Sequence, residues 1–206
     1  MNRLYTLVII SILTIFISTL GAQDFEEEYF VEKKQGGFVF SMAETGSGLG
    51  GFFAWPILGN LHLGLTLDVF FIRDSRQLDF YDPFYGPISI NKENNVYLFD
   101  FLVTLKRRFF AQDLEDSFRP FLTAAIGPYY GMNFPEADQD PEGNKLSDEY
   151  RWTLGGYIGS GVDISVNTKM FVSIRAQYRI IPFSKTLGER TNHSMFELRF
   201  EVGQRF

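Results

Sequence analysis

The chain has 206 residues, 25 acidic and 19 basic, for a formal net charge of −6. That length suits one domain with one substantial core, and an acidic balance offers no basic face to a nucleic acid. There is no cysteine, which excludes disulfides, thiolate metal sites, a cysteine nucleophile and a lipoprotein anchor. With 23 Phe, 10 Tyr and 19 Gly, the composition favours a β-protein.

Residues 1–22 read as a signal peptide: Arg3 gives a positive start, "LVIISILTIFI" an apolar core, and "STLGAQ" small residues for cleavage after Gly21 or Ala22. A retained membrane helix is the alternative, but the run is short for a ~20-residue span and polar chain follows directly. Removing residues 1–22 takes one basic and no acidic residue, leaving 18 against 25 and a mature charge of −7. Residues 23–35, "QDFEEEYFVEKKQ", form a charged periplasmic lead-in, and 36–206 carry the fold.

From Gly36 onward an alternating pattern recurs in eight candidate strands, at 36–44, 48–56, 60–73, 94–107, 118–131, 150–165, 169–181 and 194–206. The second, fourth and sixth connections, "PILGN", "FFAQDLEDSF" and "VNTK", are shorter than the third and fifth, "SRQLDFYDPFYGPISINKENN" and "NFPEADQDPEGNKLSDE", the longest in the chain. With both termini in the periplasm, the short ones are periplasmic turns and the long ones point outward.

The third strand sets Leu61, Leu63, Leu65, Leu67, Val69 and Phe71 against His62, Gly64, Thr66, Asp68 and Phe70. The fourth sets Tyr97, Phe99, Phe101, Val103 and Leu105 against Leu98, Asp100, Leu102, Thr104 and Lys106. The sixth opposes Trp152, Leu154, Ile158, Val162 and Ile164 to Arg151, Thr153, Gly155, Tyr157, Gly159, Gly161 and Asp163. The seventh opposes Met170, Val172, Ile174, Ala176, Tyr178 and Ile180 to Ser173, Arg175, Gln177 and Arg179. In the last strand Phe196, Leu198, Phe200 and Val202 alternate with Glu197, Arg199, Glu201 and Arg205. Strands one, two and five do not declare a face.

Alternation does not by itself say which face is inside, and a soluble exported barrel with an apolar interior is the competing architecture. Three features favour lipid outside. The polar faces mix Gly and Thr with charges of both signs; Trp55, Tyr97, Tyr129, Tyr130, Tyr150 and Trp152 fall near strand ends; and the chain finishes on Phe206. The expected fold is all-β, an eight-stranded antiparallel up-and-down transmembrane β-barrel in the cell outer membrane.

The segment "FRPFLTAAIGPYYG" is similar to the Pro-aromatic-x-Thr-Ala-Gly strand of the small eight-stranded bacterial outer-membrane barrels, the family of the outer membrane protein A transmembrane domain, and the C-terminal Phe206 resembles their assembly signal. The resemblance spans residues 36–206 and departs at Gln204, where an apolar residue is usual, and in lacking a peptidoglycan-binding domain after the barrel. It implies insertion among outer-membrane lipids by the barrel-assembly machinery, and it transfers no specific activity.

Candidate chemistry is sparse. His62 and Asp68 share a face six residues apart, roughly 20 Å at strand rise and too far for a catalytic contact, so His62 reads as a structural or titrating lumen group. His193, Ser194 and Glu197 resemble the His, Ser and Glu used by lipid A deacylases, but "NHSMFE" does not match their His-x-Ser-Asn pattern. In "DQDPEGNKLSDE", Asp138, Asp140, Glu142, Gly143 and Glu149 fall at positions 1, 3, 5, 6 and 12 of a calcium loop. Pro141, Lys145 and the flanking strands favour a solvated acidic loop instead, so calcium stays one alternative and no other cofactor is expected.

The lumen of eight strands holds only side chains, so inward charges must pair or cost several kcal/mol each. The assigned inward positions carry five acids, Asp68, Asp100, Asp163, Glu197 and Glu201, and six bases, Lys106, Arg151, Arg175, Arg179, Arg199 and Arg205. Pairing residues of the last two strands whose numbers sum to 376 sets Arg179 opposite Glu197, Arg175 opposite Glu201 and Met170 opposite Phe206, and so avoids opposed like charges. The expectation is a paired plug with no continuous water path: a non-enzymatic barrel serving envelope integrity or surface interaction, its extracellular partner not named by the sequence. The alternatives are binding or transport of small apolar molecules and, third, lipid A modification.

Overall fold

The computed structural model describes residues 33–73, 78–84, 86–90, 94–109, 118–135 and 147–206. The signal peptide and most of the lead-in lie outside the described residues, as do Asp138, Asp140, Glu142 and Gly143.

Among the described residues are twelve strands: β1 Gln35–Ala43, β2 Gly46–Leu58, β3 Leu61–Ile72, β4 Leu78–Asp82, β5 Gly86–Ile90, β6 Asn94–Arg108, β7 Phe118–Pro135, β8 Glu149–Ser165, β9 Met170–Ile180, β10 Pro182–Leu187, β11 Arg190–Asn192 and β12 Met195–Arg205. Eight of them close a barrel in the order β1-β12-β9-β8-β7-β6-β3-β2, all antiparallel. The other four form two hairpins, β4-β5 and β10-β11, inside connections that the sequence reads as plain loops.

Following the ladder from Gln35 through Ala54, Gly64, Thr104, Ala125, Tyr157, Arg179 and Met195, and carrying the β12-β1 register two residues past its last pair, Ala43–Glu197, brings the path to Thr45 beyond β1 rather than to Gln35. That stagger of ten residues over eight strands tilts the strands by about 40° and leaves an interior only side chains can fill. Gln35 and Arg205, the first and last ladder residues of the barrel, lie at one end with the β2-β3 and β8-β9 turns, here the terminal end; the β1-β2 turn and the β9-to-β12 connection mark the other, the loop end.

Period-two alternation decides the two surfaces. Outward positions are apolar and exposed: Phe38, Leu49, Leu67, Phe101, Ile126, Leu154, Ile174 and Val202 among them. Inward positions are buried and polar, including Ser41, His62, Thr66, Asp68, Asp100, Thr123, Arg179 and Glu201. The structure also assigns the strands whose faces the sequence left open: Val39 and Ser41 of β1 point inward, as do Arg119, Phe121, Thr123 and Tyr129 of β7. Rings gather at both ends of the outer wall. At the loop end Phe71, Tyr97, Phe134, Tyr150, Tyr130 and Trp152 form a chain of contacts across β3, β6, β7 and β8, with ring centres 4.5 to 6.5 Å apart. At the terminal end Phe53 meets Trp55 at 4.8 Å and Phe206 at 5.6 Å.

The register expected between the last two barrel strands is corrected. Arg179 stands opposite Met195, Arg175 opposite Arg199, and Met170 opposite Gln204, a shift of two residues. Direct opposition was the wrong criterion. A long guanidinium reaches the diagonal neighbour two residues along, and Arg175–Glu201 and Arg179–Glu197 are ion pairs in the register observed.

The wall is uneven in height. β8 meets β9 only as far as Gly156–Ile180, while β7 and β8 stay paired up to Asn133–Glu149 and β6 and β7 up to Asn94–Pro135. The β6-β7-β8 sector therefore stands roughly 15 Å above the β9-β12-β1 sector at the loop end. The β10-β11 hairpin leans into the mouth against this taller sector.

The lumen as candidate functional site

The lumen is layered, and each layer is set by which inward positions fall at one level of the tilted strands. Lowest, near the terminal end, Asp163 of β8 receives Lys106 Nζ at 2.7 Å and Arg108 Nη2 at 2.5 Å, with Arg108 Nε at 2.8 Å. Arg108 Nη2 also donates to Gln35 Oε1 at 3.0 Å, which ties β6 to β1 across the barrel. The Lys106 ammonium lies 3.9 Å from the centre of the Phe121 ring. Above this, Glu201 accepts from Arg199 Nε at 3.0 Å and forms an ion pair with Arg175 Nη2 at 3.0 Å, so one carboxylate separates the two guanidiniums that the register sets opposite each other.

The third layer centres on Arg179, which has no exposed surface. Its Nη1 donates to Asp100 Oδ2 at 2.5 Å and to the Tyr129 hydroxyl at 3.0 Å; its Nη2 meets Asp68 Oδ2 at 3.0 Å; its Nε donates to Glu197. Arg199 Nη1 shares Asp68 Oδ2, and Gln177 Nε2 donates to Glu197 at 2.6 Å. The Phe70 ring lies 4.4 Å from the guanidinium carbon. Three carboxylates on three strands thus converge on one planar five-donor group, the geometry for which arginine is suited and lysine is not.

Above Arg179 the lumen turns apolar. Phe70, Ile72, Val96, Leu98 and Tyr129 of the wall pack with Ile181, Phe183, Leu187 and Met195, three of them from or beside the β10-β11 hairpin. The hairpin turns on Gly188 and Glu189, both with positive φ, 53° and 67°, the pair of left-handed residues that a two-residue hairpin turn of this hand requires. Its tip is seated by glycine at another point: a Cβ on Gly131 would lie 2.3 Å from Leu187 Cδ2. Gly188 N–H donates to the Glu149 carboxylate at 2.7 Å, and the Asn133 side-chain amide donates to the same oxygen at 3.2 Å. At the hairpin base the buried His193 places Nε2 3.0 Å from the Leu187 carbonyl and its ring edge-on to Phe183 at 5.5 Å. Burial pushes the His193 imidazole below its ordinary value, against the opposing pull of the Leu187 carbonyl.

Of the inward charges expected from the sequence, Asp68, Asp100, Lys106, Asp163, Arg175, Arg179, Glu197, Arg199 and Glu201 are brought together in these layers. Two are not. Arg151 sits half-buried at the loop-end rim, where Nη1 donates to the Tyr150 carbonyl at 2.9 Å, and Arg205 is half-buried at the terminal end on Ser165 Oγ at 2.9 Å. Arg108 and Arg119 take their places among the buried cations. The expected fourth strand stops one residue before Arg108, although one further period-two step beyond Lys106 reaches it, and the fifth strand shows no face that would single out Arg119. His62 is buried in the lowest layer, opposite Lys106 in the ladder.

His193, Ser194 and Glu197 face three ways. The His193 ring addresses Leu187, Ser194 Oγ donates to Asn192 at 2.6 Å and accepts Ile181 N–H at 3.0 Å, and Glu197 is held by Arg179 and Gln177. Of the calcium-loop residues Glu149 alone is described, bound as above. Phe206 closes the ladder through its N–H to the Lys34 carbonyl at 3.0 Å. A groove of about 480 Å³ lies outside the lumen, on the apolar wall over Gly51, between Phe38, Leu49, Leu67 and Phe101.

A closed antiparallel barrel with a charged, filled interior and an apolar exterior ringed by aromatics is built for hydrocarbon as its solvent. Its fold is that of the small eight-stranded outer-membrane β-barrels. Neisserial surface protein A superposes with a TM-score of 0.58 at 13% identity, over 87% of this chain and 100% of that one. The N-terminal β-barrel domain of OprF from Pseudomonas aeruginosa does so with a TM-score of 0.53 at 11% identity, over 85% and 98%. No protein-family model and no curated protein matches the sequence.

Proposed function

We propose that the protein is a non-enzymatic outer-membrane barrel that serves envelope integrity or surface interaction through its loop end, and not a pore. The observation that carries this reading is the Arg179 layer: one guanidinium, three carboxylates and Tyr129 meet across the lumen with no exposed surface on Arg179. A conducting path would have to separate these charges, at several kcal/mol for each ion left unpaired. Fractionation with outer membranes, heat-modifiable migration and no steady conductance in planar bilayers are the expected results. A folded soluble pool, or sustained ion current, would overturn the reading. Deletion should raise sensitivity to detergents and leave the lipid A profile unchanged.

A second reading, binding of a small apolar molecule, is favoured by one feature: above Arg179 the lumen is lined by Phe70, Ile72, Val96 and Leu98 and closed by a hairpin rather than by the wall itself. Saturable quenching of intrinsic fluorescence by an aliphatic probe, abolished when Leu98 is made Arg, would support it over the first.

A further inference from the structure

We propose that the β10-β11 hairpin is a strap with two positions. One is observed, folded into the mouth. In the other, residues 181–187 leave the mouth and continue β9 along the edge of β8. The inference holds whichever function the barrel serves.

The second position is already templated. Along its β9 side β8 is paired only up to Gly156, so Glu149–Gly155 has no ladder partner there among the described residues. An unpaired edge of this length exposes backbone donors and acceptors that a neighbouring strand satisfies. The β8-β9 register runs without a shift from Ser165–Phe171 to Gly156–Ile180. Continued unchanged, it would set Ile181 opposite Gly155, Phe183 opposite Thr153 and Leu187 opposite Glu149. Period two keeps Ile181, Phe183 and Leu187 on the inward side in both positions, so the exchange turns no apolar side chain toward water on the outside. The path is short as well, since the Thr153 hydroxyl of that edge already donates to the Pro182 carbonyl.

Two sequence features hold the strap off the edge. Pro182, at the point of departure, has no N–H for a ladder. Lys185 would stand directly opposite Arg151, and opposed like charges destabilise a strand pair. In the observed position the strap is tied by Gly188 N–H to Glu149 at 2.7 Å, by Ile181 N–H to Ser194 Oγ at 3.0 Å and by His193 Nε2 to the Leu187 carbonyl at 3.0 Å. Moving it would uncover Phe70 and Leu98 while the Arg179 layer beneath stays closed. The device therefore opens an apolar chamber to the loop end without opening a pore.

The test uses the full chain refolded in lipid vesicles, with Pro182→Thr and Lys185→Glu combined to remove both obstacles. Hydrogen exchange reports the β8 edge, and a water-soluble maleimide reports Leu98→Cys, the only thiol in a chain that has none. Relative to Leu98→Cys alone, the combined variant should slow exchange within residues 149–155 and speed labelling, each by roughly tenfold. Unchanged exchange and labelling in a barrel still heat-modifiable on gels would overturn the proposal. Should the combined variant not fold, Arg151→Glu alone removes the like-charge contact; it should move both readouts the same way by a smaller factor, and no movement there also overturns the proposal.

Discussion

Arg179 Nη1 donates to Asp100 Oδ2 at 2.5 Å through the lumen, joining residues 79 apart in the chain. The contact lies between strands that are not ladder neighbours, so no backbone hydrogen bond holds β9 to β6 there. The side chains alone bridge the barrel at this level.

Arg179→Met should be strongly destabilising, because Asp68, Asp100 and Glu197 lose a shared partner while buried. Breaking a buried ion pair by removing one side costs about 3–5 kcal/mol, read as a fall in the urea midpoint of the refolded barrel. Arg179→Lys should recover only part of this, since one ammonium does not reach three carboxylates in the plane of a guanidinium.

Glu201→Gln leaves Arg175 and Arg199 opposed with only an amide between them. A loss of about 3 kcal/mol is expected. Adding Arg175→Gln, which removes an ion-pair partner of Glu201, should then restore stability rather than lower it further; a double-mutant cycle with no favourable coupling would show that the two guanidiniums do not depend on Glu201.

His193 is held below its ordinary value of 6.5 by burial. A base whose folded value is depressed binds fewer protons folded than unfolded, so it supports the fold fully above the unfolded value and loses that support as pH falls through the folded one. Arg190 also disfavours the proton and Glu149 favours it. Protection of the amides in Leu187–Asn192 should therefore decline as pH drops below 6.5, and His193→Gln should flatten the dependence.

Gly131→Val places a side chain where Leu187 Cδ2 would lie 2.3 Å from the new Cβ. Overpacking of this kind costs about 1–3 kcal/mol, and Leu187→Ala should relieve it in the double variant. Thermal unfolding in detergent micelles measures both.

Leu67 is 56% exposed on the outer wall, between Gly51 and Phe101 in the ladder. Leu67→Arg should cost about 2–4 kcal/mol when the barrel folds into vesicles, the penalty for a cation near the middle of the apolar band. Ser47→Arg, at the loop-end edge of β2, should cost little. Equal effects would count against lipid on this face.

The barrel was legible because its exterior is written in a two-residue period: Leu61 to Phe71 and Met170 to Ile180 each show one greasy side, and the structure puts that side outward. β1, β2 and β7 stayed ambiguous because glycines such as Gly37, Gly48, Gly51 and Gly127 carry no polarity to alternate. The diagonal pairing of Arg175 and Arg179 was misread as direct opposition, since sequence shows which charges share a face but not how far a guanidinium leans. The β10-β11 hairpin was invisible for a different reason. Its apolar residues Phe183 and Leu187 are four apart in a segment with Pro, Gly and six charged or hydroxyl neighbours, a loop signature, and their burial comes from the taller β6-β8 sector standing beside them.

The positions of the lumen acids in the chain bear on how the barrel reaches its closed form. Asp68 finds its partners 111 and 131 residues later, in Arg179 and Arg199. A sheet assembled from β1 to β8 would carry Asp68 and Asp100 without either arginine, and the arrival of β9 and β12 neutralises them at the same time as it joins the edges. Contacts of such long range form late and slow the approach to the native state, but once made they are absent from any half-open intermediate, so their loss appears chiefly in the rate of unfolding. Closure is thus the step at which the charges of the interior stop opposing the fold and begin to resist its undoing.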